Sequence, residues 1–335
     1  MKIKYLFLIS ISIFTASLIS CQKDFTIDNI TNRPDSTVNP PVGMDSNYLD
    51  RIIYTENYNG TIRTYQKTFF NYDLLKRVIT IYDTTFDDLS QVDAFYKIQF
   101  YYLSNNQLPF KSIKSLRGVS EFGYLQDTIY YTYNSSNQLL NDSTYSYSIA
   151  TVNTNTLDTN RSLLKKYYQY QTNKLFSSQQ KQIFYSSNNS QNFPYIENDT
   201  LTFDTNGNVI NASNKKIYSN SQVDYRNGTF TYDNKYSPSK KLNIKFNFSA
   251  FLKIDVYSDL ETYYLPSNNL LSSMSNGYTI NLGGNPNNSG IYNGSQNNTN
   301  GFFYNANNFL DYHNNGPILG LPGVTLKTNI YYKNL

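Results

Sequence analysis

Cys21 is the only cysteine and His313 the only histidine in 335 residues. Nucleophilic catalysis needs a thiol or hydroxyl, a base within hydrogen-bond reach and a third group that orients the base. His313 stands in "DYHNNGP", a turn-like setting, and as a base it would need a positioned nucleophile and an orienting acid. The densest carboxylates are Asp83, Asp87, Asp88 and Asp93 in "YDTTFDDLSQVD". In a hairpin connection such oxygens can ligate Ca²⁺, and two carboxylates roughly 5 to 10 Å apart can hydrolyse a glycoside. The competing reading, a solvated acidic loop, is the stronger one for a stretch this polar. "DTNGN" at 204–208 lacks the spacing and terminal Glu of a calcium loop and reads as a turn. No catalytic residue, metal site or cofactor is assigned.

Cys21 has a different use. The chain opens "MKIKYLFLISISIFTASLISC", with Lys2 and Lys4 ahead of an apolar stretch, Tyr5 to Ile19, broken only by Ser and Thr. That is a signal peptide, residues 1–20, too short for a comfortable membrane span. Leu18-Ile19-Ser20-Cys21 resembles the lipobox of bacterial lipoproteins, which implies a lipidated Cys21 carrying palmitate-like acyl chains. At about 0.8 kcal/mol per buried CH₂, two or three chains anchor a protein stably. With that thiol consumed, one His and the carboxylates cannot build a zinc site. Losing Lys2 and Lys4 brings the 28 basic residues close to the 24 acidic ones. No basic stripe is left to bind nucleic acid. Residues 21–48, with Pro34, Pro40 and Pro41 among Asn, Asp, Ser and Thr, read as a flexible tether. Gln22-Lys23-Asp24 partly resembles the acidic signals that send Bacteroidota lipoproteins to the cell surface, so the periplasmic and the surface face both stay open.

What positions the remaining side chains is a repeat. The chain holds 34 Tyr and 21 Phe. An aromatic anchor is followed by a polar residue, turn residues, and an aliphatic six places on. It occurs as Tyr72 to Val78, Tyr102 to Leu108, Tyr133 to Leu139, Phe203 to Val209, Tyr264 to Leu270 and Tyr304 to Leu310. Looser copies are Tyr170 to Leu175, one residue short, and Tyr232-Asp233, where Pro238 takes the sixth place. A period near thirty residues has to be read before any other fold assignment. Two before the anchors stand mostly apolar residues, including Phe70, Phe100, Tyr131, Tyr168, Leu201, Phe230 and Phe302, whereas the residues one before are more polar. Residues two apart in a strand share a face, so one face is buried and the other wet. Four after the anchors stand Asn106, Asn137, Gly207, Asn268 and Asn308, which tolerate the left-handed conformation of a tight hairpin. Asn59-Gly60 is an independent hairpin signal. Residues 246–262 suit a short helix or a strand, and 281–301 read as a Gly/Asn-rich loop. Residues 49–335 are therefore expected to form one all-β domain of repeated antiparallel hairpins in a large twisted sheet, solenoid-like or barrel-like.

The pattern resembles the YD repeat of Rhs-type proteins, with "FDTNGNV" at 203–209 the nearest copy. Asn replaces the turn glycine in most copies, and there is no long array. A closer resemblance is to uncharacterised Bacteroidota lipoproteins with YD-like hairpins, carried here by "FTYDNKYSPSKKL" at 230–242 and "LPSNNLLSS" at 265–273. This implies the fold and an envelope location, and supplies no catalytic residues. Ser36, Thr84, Thr128, Ser143 and Thr200 lie in D-S/T-x triplets that resemble the O-glycosylation sites of exported Bacteroidota proteins. The leading functional reading is a non-enzymatic, lipid-anchored outer-membrane protein that binds or scaffolds. Its partners would be the membrane, through Cys21, and a glycan or envelope protein. The alternatives are a carbohydrate-binding lipoprotein of a nutrient-uptake system and a carboxylate-dependent glycan-active enzyme. Exposed tyrosines would serve sugar binding, but most tyrosines sit at the face-determining positions of the repeat.

Overall fold

The computed structural model describes residues 48–118, 124–153, 156–185, 195–219, 222–238, 242, 268–281, 291–297, 301–317, 324–333 and 335. Their strands in chain order are β1 (Tyr48–Tyr58), β2 (Thr61–Tyr72), β3 (Val78–Phe86), β4 (Val92–Tyr101), β5 (Lys111–Gly118) and β6 (Tyr124–Tyr133). There follow β7 (Leu139–Asn153), β8 (Thr156–Gln171), β9 (Lys174–Tyr185), β10 (Tyr195–Phe203), β11 (Val209–Tyr218) and β12 (Gln222–Tyr236). The last are β13 (Asn268–Asn281), β14 (Ile291–Asn297), β15 (Phe302–Tyr304), β16 (Leu310–Pro317) and β17 (Val324–Lys333). All belong to one 17-stranded sheet. Neighbours in sequence pair antiparallel, and β1 also pairs with β17. Among the described residues no ladder joins β14 to β15. The fold is a meander of hairpins in one large twisted antiparallel sheet, in which the terminal strands β1 and β17 also pair. Residues 246–262, Tyr264 and Ser36 lie outside the described residues, as do residues 1–47, where the signal peptide and nearly all of the tether are expected.

The hairpins follow from one short recipe. In the register each anchor faces its own sixth residue, as in Tyr72↔Val78, Tyr133↔Leu139, Phe203↔Val209 and Tyr304↔Leu310, with a bulge beside the pair. A three-residue loop of type I geometry, closed by a left-handed residue, produces that bulge. The left-handed residues are Lys76, Asn137, Gly207 and Asn308, each four after its anchor. Two expectations need correction. In the Tyr102 copy the left-handed residue is Ser104 rather than Asn106, and β5 starts only at Lys111 after the buried Pro109. Asn268 opens β13 instead of making a turn. The Tyr170 copy is one residue short because Thr172 and Asn173 make a two-residue loop between Gln171 and Lys174. Part of the 281–301 stretch is strand, since Ile291–Asn297 pairs with β13.

The residue after the anchor locks the turn. Asp73 Oδ1 accepts from the backbone amides of Leu75 and Arg77 at 2.9 and 3.0 Å. Asn134, Asp204 and Asn305 make the same pair of bonds in their own turns. A side chain that mimics a backbone acceptor in this way holds a turn that the strands alone would not specify.

The core forms on one face, at the repeat end of the strands. One cluster joins Leu49, Ile52, Phe70, Val78, Phe100, Leu310 and Ile330, with Tyr72, Tyr102 and Tyr304 packed against it. The other joins Tyr131, Leu139, Tyr168, Leu175, Leu201, Val209 and Phe230, with Tyr133, Tyr170, Phe203 and Tyr232 against it. Anchors and the residues two before them thus make the core, as their spacing requires. The anchor hydroxyls also reach a common target, a carbonyl at the start of the preceding strand. Tyr72 donates to Leu49 O (2.8 Å), Tyr102 to Val78 O (2.7 Å), Tyr232 to Val209 O (2.9 Å) and Tyr332 to Leu310 O (2.5 Å). Tyr332 is therefore a further anchor, with buried Ile330 two before it.

Candidate functional site

The acidic cluster does not converge. Asp83 is buried on β3 and accepts from Gln66 Nε2 at 2.9 Å and Thr68 Oγ1 at 2.6 Å. Asp87 caps a turn, its Oδ1 accepting from the amides of Leu89 and Gln91 at 2.9 and 2.8 Å. This is another copy of the repeat turn: Phe86 faces Val92, and Ser90 is left-handed. Asp88 is exposed and pairs with Arg63 at 2.7 Å, and Asp93 is exposed on β4. Among the described residues no three His, Cys, Asp or Glu side chains are placed to hold a metal. Two of the four are thus bonded within the fold and the other two face water. His313 is not in a turn. It occupies β16, opposite Phe302 and Thr328.

A polar girdle that the sequence reading missed runs across the inner face above the second aromatic cluster. Cross-strand pairing lines up Asp142, Lys166, Gln179, Glu197, Lys216 and Asp224. Beside this row, Ser177, Asp199 and Asn214 line up one step nearer the turns. Lys166 Nζ lies 3.6 Å from Asp199, Ser177 Oγ donates to Asp199 at 2.9 Å, and Tyr168 Oη donates to Asp142 at 2.6 Å. Asn214 Nδ2 bridges the two carboxylates, donating to Asp199 Oδ1 at 2.6 Å and to Glu197 Oε1. Gln179 donates to the other oxygen of Glu197. Glu197 and Asp199 are thus two carboxylates that share one donor. They are only 1% and 4% exposed, and their donors are side chains of the sheet itself. A buried charge is tolerated when it is paired and hydrogen-bonded, and this pair meets that structural condition.

The outer face carries a different feature. Thr128 and Tyr130 on β6, with Ser143 and Tyr145 on β7, line an open depression of about 560 Å³. The ladder sets Thr128 opposite Tyr145 and Tyr130 opposite Ser143. The two rings lie 6.1 Å apart at 86° and are 46% and 49% exposed. Tyr167, also exposed, adjoins them opposite Asn141. Several other outward rings are covered by cations: Lys111 over Tyr101 at 4.3 Å, Lys327 over Tyr312 at 4.0 Å, and Arg51 over Tyr331 at 4.4 Å. Among the described residues no cation covers Tyr130 or Tyr145. Two candidate glycosylation residues, Thr128 and Ser143, therefore meet in one place. Thr200 is half-buried on β10. Thr84 is 2% exposed, with its hydroxyl buried and unpartnered, so the folded chain withholds it from a modifying enzyme.

No family model matches this chain, and no curated protein matches it. Among solved structures, a porin-like protein from Bacteroides vulgatus ATCC 8482 is similar at a TM-score of 0.44 and 11% identity, over 86% of this chain and 99% of that one. A likeness that low does not define a class.

Proposed function

We propose that this chain is a non-enzymatic, lipid-anchored protein of the outer membrane whose strand domain offers a binding or scaffolding face. The observation that carries the reading is the polarity of the outward strand positions. Lys165, Asn198, Ser213, Lys215, Asn227 and Thr229, all exposed, recur across β8 to β12. A strand that faces lipid needs an apolar band about 25 Å tall, and a lysine at its middle costs about 2–4 kcal/mol. These strands suit water, so attachment falls to the acyl chains on Cys21. The inner face supports the same reading, because its carboxylates are used within the sheet. The test compares the full chain with Cys21→Ser in intact cells fed a clickable fatty acid. The wild type is expected to incorporate label and stay with membranes through an alkaline wash, and the variant to lose both. A Cys21→Ser protein that stays embedded through the wash would overturn the reading.

A further inference from the structure

We propose that the depression between β6 and β7 binds a neutral saccharide. The inference deepens the binding role proposed above and depends on it. Its lining among the described residues is two aromatic rings and four hydroxyls, from Thr128, Tyr130, Ser143 and Tyr145, with no carboxylate or ammonium among them. A pyranose has a matching division. Its axial C–H face is apolar and packs on an aromatic ring, while its equatorial hydroxyls exchange hydrogen bonds with protein hydroxyls. Rings set at 86° offer one face to pack on and a second hydroxyl-bearing edge to the side. An anionic ligand would gain no ion pair from the lining; Lys165 faces Ser143 from β8 and Lys111 faces Tyr130 from β5, but neither lines the depression. A purely apolar ligand would strand the four hydroxyls without partners. The volume lies within the range of small-molecule sites. The position also suits binding, because all four side chains stand on paired strands and need no ordering when a ligand arrives. What singles out this patch is that two exposed rings and two smaller hydroxyl side chains meet in one depression, with no cation over either ring among the described residues.

The test uses the full lipidated chain in detergent, titrated with neutral oligosaccharides (glucan, mannan and xylan fragments) and with uronate and sulfated oligosaccharides. At least one neutral series is expected to bind saturably. Tyr145→Ala should weaken it about tenfold or more, while Tyr145→Phe keeps the ring and most of the affinity. Both variants should melt with the wild type, because the ring is half-exposed. Binding confined to the anionic series, no binding at all, or an unchanged affinity in Tyr145→Ala would each overturn the proposal. So would an intact mass showing sugar already linked to Thr128 or Ser143, since the depression would then hold the chain's own glycan. Because the titration is done in detergent, its failure is independent of whether Cys21→Ser releases the protein from membranes.

Discussion

Asp73 does three jobs with two oxygens. Oδ1 holds the amides of Leu75 and Arg77, and Oδ2 takes Arg77 Nε at 2.7 Å and Nη2 at 2.6 Å. Arg77 in turn donates to the carbonyls of Ser104 and Asn106 at 2.8 and 2.7 Å, tying this turn to the next one. Burial pushes the Asp73 carboxyl up, but the Arg77 guanidinium and the two amides outweigh it and hold it below the usual carboxylate range. A depressed carboxyl stabilises the fold above its unfolded value, near pH 4, and that contribution is lost as pH falls through the folded value. Asp73→Ala should therefore cost about 1 kcal/mol at neutral pH. Asp73→Asn, which keeps an acceptor for the amides, should cost less. Thermal melts at neutral pH and at about pH 3 would check this, because the gap between wild type and Asp73→Asn should close in acid. An Asp73→Ala protein that melts with the wild type would remove the turn-locking role from the second repeat position.

At the scale of the hairpin, the bulge explains both what was legible in the sequence and what was not. The outgoing strand keeps strict alternation, so Phe70, Tyr131, Leu201 and Phe230 are legible as core from their place two before an anchor. On the return strand the bulge shifts the alternation by one. After Leu139 the next buried side chain is Asp142, after Val209 it is Ala212 and then Asn214, and after Val78 come Thr80, Ile81 and Asp83. A period of two counted straight through the turn assigns those residues to the wrong face, which is why the girdle was invisible. The outgoing half was within reach: Lys166 and Asp199 both stand four before an anchor, where a polar residue looks like noise until its partner is found. Phe86-Asp87 was missed because it lies at the opposite ends of the strands and breaks the thirty-residue period. Two substitutions probe the packing inside these elements. A Cβ on Gly228 would stand 2.6 Å from Phe230 Cζ, so Gly228→Ala should destabilise by about 1–3 kcal/mol, with recovery when Phe230→Leu is added. Lys166→Met leaves Asp199 without its ammonium and should cost about 3–5 kcal/mol, partly restored by Asp199→Asn. Denaturant midpoints for the single and double variants would measure both couplings.

For the whole molecule, the consequence of the repeat is that tyrosine hydroxyls are distributed around the circuit as cross-strand ties. Tyr332, next to last in β17, ties that strand to Leu310, and Tyr72 ties β2 to Leu49 in β1, the strand that pairs with β17. Where no ladder joins β14 to β15 among the described residues, contacts from β12 reach the β15–β16 turn: Tyr236 N donates to Asn308 O at 3.0 Å, and Lys235 Nζ to Asn308 Oδ1 at 2.7 Å. Tyr304 Oη also donates to Asp233. Burial pushes the Tyr65 hydroxyl up to about 12, and pushes Tyr72, Tyr131, Tyr133 and Tyr332 further in the same direction. An acid whose folded value is raised stabilises the fold fully below its unfolded value, about pH 10, and that stabilisation is lost as pH rises beyond it. The ties should therefore fail together in base. An alkaline titration should show tyrosinate absorbance from the buried set rising in one cooperative step, coincident with loss of the far-UV strand signal. Tyr72→Phe should move that step to higher pH, since one fewer buried hydroxyl favours the ionised, unfolded chain, even though it loses the bond to Leu49 O at neutral pH. If the buried tyrosines ionised gradually while the strands stayed intact, the hydroxyls would be reaching water, and the inner face would not be the sealed core that binds the hairpins into one unit.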